Sequence, residues 1–212
     1  LGCILAVIAM NAGADISDIT AIYKNTPMLD AFEVCQGGGG ADRRQVSLND
    51  EEWAEITAIF TDADDVLLDD ATRERKQIAE AIGALEKIIG DKVGTSEDRA
   101  GTFDNSDYAG QMDCNDEAIN STTYMRLMVQ NGLIRLHQVE DMRTRNFFFT
   151  GWPHSTAVIH EVATGERYAV DSWFYDNGEP AIIVPFALWK SGYIPENSPL
   201  RHVRSAHYTD SW

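Results

Sequence analysis

The apolar pattern of this chain changes period at Asn131-Gly132, and that change limits the folds open to it. Ahead of it, Ile78, Ile82, Leu85 and Ile89 recur at helical spacing, which predicts a helix from about Asp69 to Ile89, ended by Gly90 and Gly94. An earlier helix opens at Asn49-Asp50-Glu51-Glu52, where a capping residue precedes acids that suit the helix dipole, and buries Trp53, Ile56 and Phe60. A third helix starts near Cys114, carries Ala118, Thr122, Met125 and Val129 on its apolar face, and stops at Asn131-Gly132. Beyond that point the pattern is that of strands: Leu133–Val139, Asn146–Thr150, Ser155–Val162, Arg167–Ser172, and Ile182-Ile183-Val184 before Pro185. Ala163-Thr164-Gly165-Glu166 reads as a hairpin. If Thr164-Gly165 centres a two-residue turn, Asp171 faces Val158, His160 is its diagonal neighbour, and His154 lies farther along. Helices first and strands afterwards favour an α+β class over alternating βαβ units.

Composition bounds the partners. The 212 residues include 17 basic and 34 acidic side chains, a net charge of −17. Such a balance argues against nucleic acid, whose phosphates need clustered Lys and Arg, and against an anionic membrane surface. From Asp50 to Asp107 there are 17 acidic and 6 basic residues. This section reads as a solvated acidic face, with a calcium site as the minor option, because no EF-hand spacing is present. Cys3, Cys35 and Cys114 form neither a disulfide framework nor a zinc motif, although a Cys35–Cys114 bond would silence Cys114 as a nucleophile.

Leu1–Met10 is apolar but shorter than the roughly 20 residues a spanning helix needs. With Ala12-Gly13-Ala14 after it, residues 1–14 read as the end of a secretory signal, which implies an exported, periplasmic protein. Leu1-Gly2-Cys3 also resembles the end of a lipoprotein box, and a core segment of the mature chain is the third reading. Residues 15–212 are expected to form a single domain. Residues 15–50 are poorly patterned, and Gly37-Gly38-Gly39-Gly40 reads as a loop, with no Lys-Ser/Thr to make it a P-loop. Thr95–Gly110 reads as a long polar loop leading into Cys114.

The chemistry centres on Gln111-Met112-Asp113-Cys114-Asn115-Asp116-Glu117-Ala118. A cysteine at a helix start has its thiolate favoured by unpaired backbone N–H groups. Asp113, Asp116 and Glu117 oppose that thiolate, so a nearby imidazolium is needed. His137, His154, His160, His202 and His207 compete for the role, and the residues alone leave both His154 and His160 open.

Three stretches carry a resemblance: Asp113-Cys114-Asn115-Asp116-Glu117-Ala118 at a helix start, His154 followed by Ala157-Val158-Ile159, and Tyr168-Ala169-Val170-Asp171 after Gly165. Over roughly Gly110 to Asn177 the chain resembles the transglutaminase-like superfamily of papain-like fold, and most closely the bacterial transglutaminase-like cysteine proteinases. It departs from their pattern in the extra Ser155 and Thr156 and in Ser172. It is also similar to uncharacterised bacterial exported proteins with the same Cys, Trp-Pro-His and Val-Asp-Ser-Trp elements.

The resemblance implies N-terminal helices and a cysteine-bearing helix packed on an antiparallel sheet. It implies Cys114 as nucleophile, His154 as general base and Asp171 as the group that orients the imidazole. Gln111 and the backbone N–H of Cys114 are candidate oxyanion donors, and Trp152 and Trp173, with Phe174 and Tyr175, candidate walls of a substrate groove. Arg143 and Arg145 are candidates to meet an acidic substrate group. The expected activity is a thiol hydrolase, a cysteine peptidase or amidase acting on a peptide, protein or amide without a required cofactor. Transglutaminase-type acyl transfer and a catalytically silent peptide-binding module are the alternatives.

Overall fold

A computed structural model describes residues 26–61, 69–102, 109–145 and 153–200. The N-terminal signal reading, the strand expected at Asn146–Thr150, Trp152, His202 and His207 lie outside them.

The described residues form a two-stranded hairpin, four helices and a four-stranded antiparallel sheet, an α+β arrangement. Strands β1 (Phe32–Gln36) and β2 (Asp42–Val46) pair antiparallel across the four glycines, in a region whose sequence shows no strand alternation. Val34 and Cys35 are buried on opposite faces of β1 and two arginines sit in β2, so no simple alternation results.

Helix α1 (Asp50–Thr61) starts as expected: Asn49 Oδ1 accepts the Glu52 N–H at 2.9 Å, and the Glu52 carboxylate accepts the Asn49 N–H at 2.8 Å. Ile56 is fully buried, and Trp53 and Phe60 pack against the core from its edge. Helix α2 (Asp70–Val93) is capped by Asp69 and runs past Gly90 to a left-handed Gly94. Gly90 does not end it because the residue is there for space: a Cβ would lie 3.1 Å from the Ser96 backbone nitrogen. The stripe Ile78, Ile82, Leu85 and Ile89 is buried throughout, each side chain contributing about 1.5–3 kcal/mol of burial.

Helix α3 (Cys114–Gln130) is the central helix, packed on β1, α2 and β3–β5. Its expected single stripe is a correction: burial extends round the helix from Cys114 to Met128, while Val129 is 40% exposed. A helix clamped between a hairpin, a helix and a sheet has no wholly solvent-facing side, and Ser, Thr and Asn fill positions that a stripe count ignores.

After α3 the sheet runs in the order β3 (His137–Arg145), β4 (His154–Glu161), β5 (Arg167–Asp171), β6 (Ile182–Pro185). The expected strand at Leu133–Val139 begins later, at His137. The Leu133 N–H closes back on Met128 O at 2.9 Å, and the Arg135 and Leu136 N–H groups donate to the Glu74 carboxylate, so no neighbouring strand receives them. A bulge between Glu140 and Arg143 bends β3. A short helix α4 (Phe186–Lys190) follows β6 and packs against β5. No described helix is long and apolar enough to cross a membrane.

Candidate active site

Cys114 is the first residue of α3, immediately after its cap. Asp113 Oδ1 accepts the backbone N–H groups of Asn115 at 2.9 Å and Asp116 at 3.0 Å, and Asp116 accepts the Asp113 N–H at 3.3 Å. The glycine loop closes round this cap. Gly37 to Gly40 all have positive φ, between +65° and +87°, a run that only glycine adopts without cost. Their N–H groups thereby converge on carboxylates: Gly38 and Gly40 donate to Asp116, and Gly39 to Asp113, at 2.7–2.8 Å.

His154 opens β4 and Asp171 ends β5. Ala157 faces Val170 and His160 faces Arg167, so one further step sets Asp171 across from Thr156, with His154 diagonal to it. The two-residue turn is a correction. The strands are joined by Val162–Gly165, with the Gly165 N–H closing on Glu161 O at 2.8 Å and the Glu161 N–H on Glu166 O at 2.9 Å. Gly165, at φ +71°, ends the loop instead of sitting at its centre. The resulting shift of register gives Asp171 to His154. His160 instead meets Glu140, its Nδ1 3.2 Å from Oε1.

The imidazole Nε2 of His154 lies 2.7 Å from Asp171 Oδ2, and both side chains are almost wholly buried. With a carboxylate oxygen as acceptor Nε2 donates, and in a neutral imidazole Nδ1 is then the nitrogen with the free lone pair. Among the described residues Nδ1 has no hydrogen-bond partner. Cys114 packs in one cluster with Ala169, Trp173, Phe174 and Trp189. The same three aromatic rings surround His154, with centroids 4.5, 5.3 and 5.7 Å from the imidazole. The Ser155 backbone N–H bonds the Cys114 sulfur, which brings the thiol against the strand segment beginning at His154.

Burial pushes the Cys114 thiol up to about 12; the charges of Asp113 and Asp171 add to the rise, and the N–H groups of Ser155 and Cys114 oppose it. The resting thiol is therefore protonated, and the helix start alone does not make it a thiolate. Two of its three acidic neighbours are less of an obstacle than their sequence suggests. Burial, then the Asp113 charge, raises Asp116 to about 7 against the glycine N–H donors. Burial also raises Glu117, helped by the nearby Glu86 and Asp98 carboxyls. Both are buried, so Asp116 loses charge near neutrality and the charged form of Glu117 is disfavoured.

Three hydroxyl side chains, those of Ser155, Thr156 and Ser172, join the parts. Ser155 Oγ donates to Asn115 Oδ1 at 2.8 Å and meets Thr144 Oγ1 at 2.8 Å, tying the histidine strand to the cysteine helix. Thr156 Oγ1 donates to Val170 O at 2.8 Å, tying the same strand to the aspartate strand. Ser172 donates to the Glu117 carboxylate, one turn along α3 from Cys114.

Gln111 is held in its own loop: its amide nitrogen donates to Glu97 O at 2.8 Å, and its oxygen accepts from the Arg99 N–H and Thr102 Oγ1. Trp173 lies against His154, is 5% exposed, and donates its indole N–H to Thr102 O. Phe174 is buried, whereas Tyr175 is partly exposed and bonds Asn197. Arg145 is buried and donates to Trp189 O at 2.6 Å, which takes it away from the expected role toward an acidic substrate group; Arg143 lies near Glu140. Cys35 and Cys114 are both free thiols, in separate clusters. Among the described residues no group of three His, Cys, Asp or Glu side chains is arranged to hold a metal.

Sequence reasoning missed Trp189, whose indole N–H reaches Asp171 Oδ2 at 2.7 Å. Nothing in its surroundings marks it, since it comes 18 residues after Asp171 on a different element. Ser155 and Thr156 did carry a signal, being hydroxyls directly before the apolar run Ala157-Val158-Ile159.

Comparison of the chain with family models, curated proteins and solved structures returns no match.

Proposed function

We propose that this protein is a thiol hydrolase, a cysteine peptidase or amidase of transglutaminase-like type, acting through Cys114, His154 and Asp171. The observation that carries the reading is the His154–Asp171 pair at 2.7 Å, which leaves Nδ1 as the basic nitrogen inside the aromatic pocket that also encloses Cys114. Because burial keeps the thiol protonated, proton removal accompanies attack. Cys114 Sγ bonds to the substrate carbonyl carbon as His154 Nδ1 takes the thiol proton. The tetrahedral oxyanion collapses, the C–N bond breaks, and the imidazolium returns the proton to the departing amine. Water then attacks the thioester with His154 again as base, releasing the carboxylic acid and the thiol. Asp171 holds the tautomer and stabilises the imidazolium.

With the Gln111 amide engaged in its loop, the Cys114 backbone N–H is the better oxyanion donor. Trp173 is a wall of the reacting pocket. Acyl transfer to an amine uses the same thioester and differs only in the acceptor. Export to the periplasm fits the apolar run at residues 1–14. A panel of peptide and amide substrates, tested with the parent protein and with Cys114→Ala, checks the reading. Release of amine by the parent alone supports it, and equal release by both refutes it.

A further inference from the structure

We propose that Trp189 is a positioning residue for the reaction assigned above, holding the Asp171 carboxylate in place through its indole N–H; this rests on the Cys114–His154–Asp171 reading. One oxygen, Asp171 Oδ2, accepts both His154 Nε2 and Trp189 Nε1, each at 2.7 Å. Asp171 is 2% exposed and Trp189 is fully buried, so water does not substitute for a lost donor. Trp189 is itself fixed from both sides. The Arg145 guanidinium lies 4.9 Å from its ring centroid and donates to its carbonyl at 2.6 Å, while Phe186 stacks on it at 5.5 Å.

A hydrogen bond to the ionised form of a buried carboxyl favours that form. Removing the indole donor leaves Asp171 Oδ2 with only one of these two donors, His154. A carboxylate held from one side orients and stabilises the imidazolium less well, and proton removal from Cys114 slows. The charged and titratable groups facing this site are His154 on β4, Cys114 and Asp113 at the start of α3, Glu117 on α3, bound by Ser172 next to Asp171, and Arg145 at the end of β3.

The test is the pH dependence of Cys114 alkylation by iodoacetamide, read by mass spectrometry, in the parent, His154→Ala, Trp189→Phe and a protein carrying benzothienylalanine at position 189. The last keeps the bicyclic shape and lacks the N–H, so it decides the matter if Trp189→Phe does not fold. The expected result is an acid limb displaced from the parent's in both position-189 variants, with the alkaline plateau retained. A purely packing role would leave the limb unmoved in the benzothienylalanine protein. An unmoved limb, with His154→Ala still slow, overturns the role of Trp189 and leaves the thiol hydrolase standing. Equal rates in the parent and His154→Ala overturn both.

Discussion

Cys114 is placed in a site that raises its proton affinity, and the geometry gives a reason for a base beside it. Burial and two carboxylates work against the thiolate, and two backbone N–H groups are too few to reverse them. A buried neutral thiol avoids placing an uncompensated anion in the resting site. Substitution of Asp113 tests the cap separately from the chemistry. Asp113→Ala removes the acceptor for two helix N–H groups and for Gly39, and is expected to cost about 1–2 kcal/mol, measured by urea denaturation. The residues of the site were unequally legible. Cys114 at a capped helix start could be read from its neighbours. The choice between His154 and His160 could not, because it depends on a four-residue loop whose length moves every cross-strand pair together. Trp189 was illegible, since its role arises only when α4 folds back on β5.

The elements meet where short polar ties cross between them, and these ties explain why the order of helices and strands could be read while the N-terminal hairpin could not. Helices α1 and α2 show complete apolar stripes and caps, whereas β1 and β2 owe their pairing to a loop that serves the neighbouring helix. Three glycine N–H groups are bound by Asp113 and Asp116, and Asn120 holds Cys35 at both its backbone N–H and C=O, at 2.7 and 2.9 Å. The four-glycine turn is thus a socket for the start of α3. Gly40 makes the point most sharply: it has φ +74°, and an added Cβ would lie 3.1 Å from Ile119 Cδ1. Gly40→Ala is therefore expected to destabilise by more than about 1 kcal/mol, seen as a fall in the urea midpoint without a change in slope. An unchanged midpoint would remove the loop from the account.

Across the molecule, carboxyls that prefer to be protonated line the rear of the site. Glu86 on α2, Asp98 in the loop before α3 and Glu117 on α3 are all raised, chiefly by burial. They join the parts: Asp98 accepts the Met112 N–H at 2.7 Å, Glu117 accepts Ser172 Oγ, and Glu86 accepts the Gly178 N–H. A carboxyl raised on folding stabilises the fold fully at pH below its unfolded value and loses that contribution as pH rises through its folded value. Stability is thus expected to fall between about pH 4 and pH 8, as Asp98 at about 6, Asp116 at about 7 and Glu86 at about 8 lie above the ordinary carboxyl values of 3.8–4.5. Glu117→Gln is expected to flatten that slope, as urea denaturation at several pH values would show. The acidic section Asp50–Asp107, which read as a solvated face, thus includes Glu86 and Asp98, buried carboxyls that burial holds above the usual carboxylate range. The measurement that bears most directly on the central claim is the alkylation rate of Cys114 at pH 7 in the parent and in His154→Ala, with folding of both checked by circular dichroism. A general base of this kind contributes roughly 10²–10⁴-fold, so the account predicts a fall of at least about a hundredfold in the variant. Equal rates in two folded proteins would contradict it.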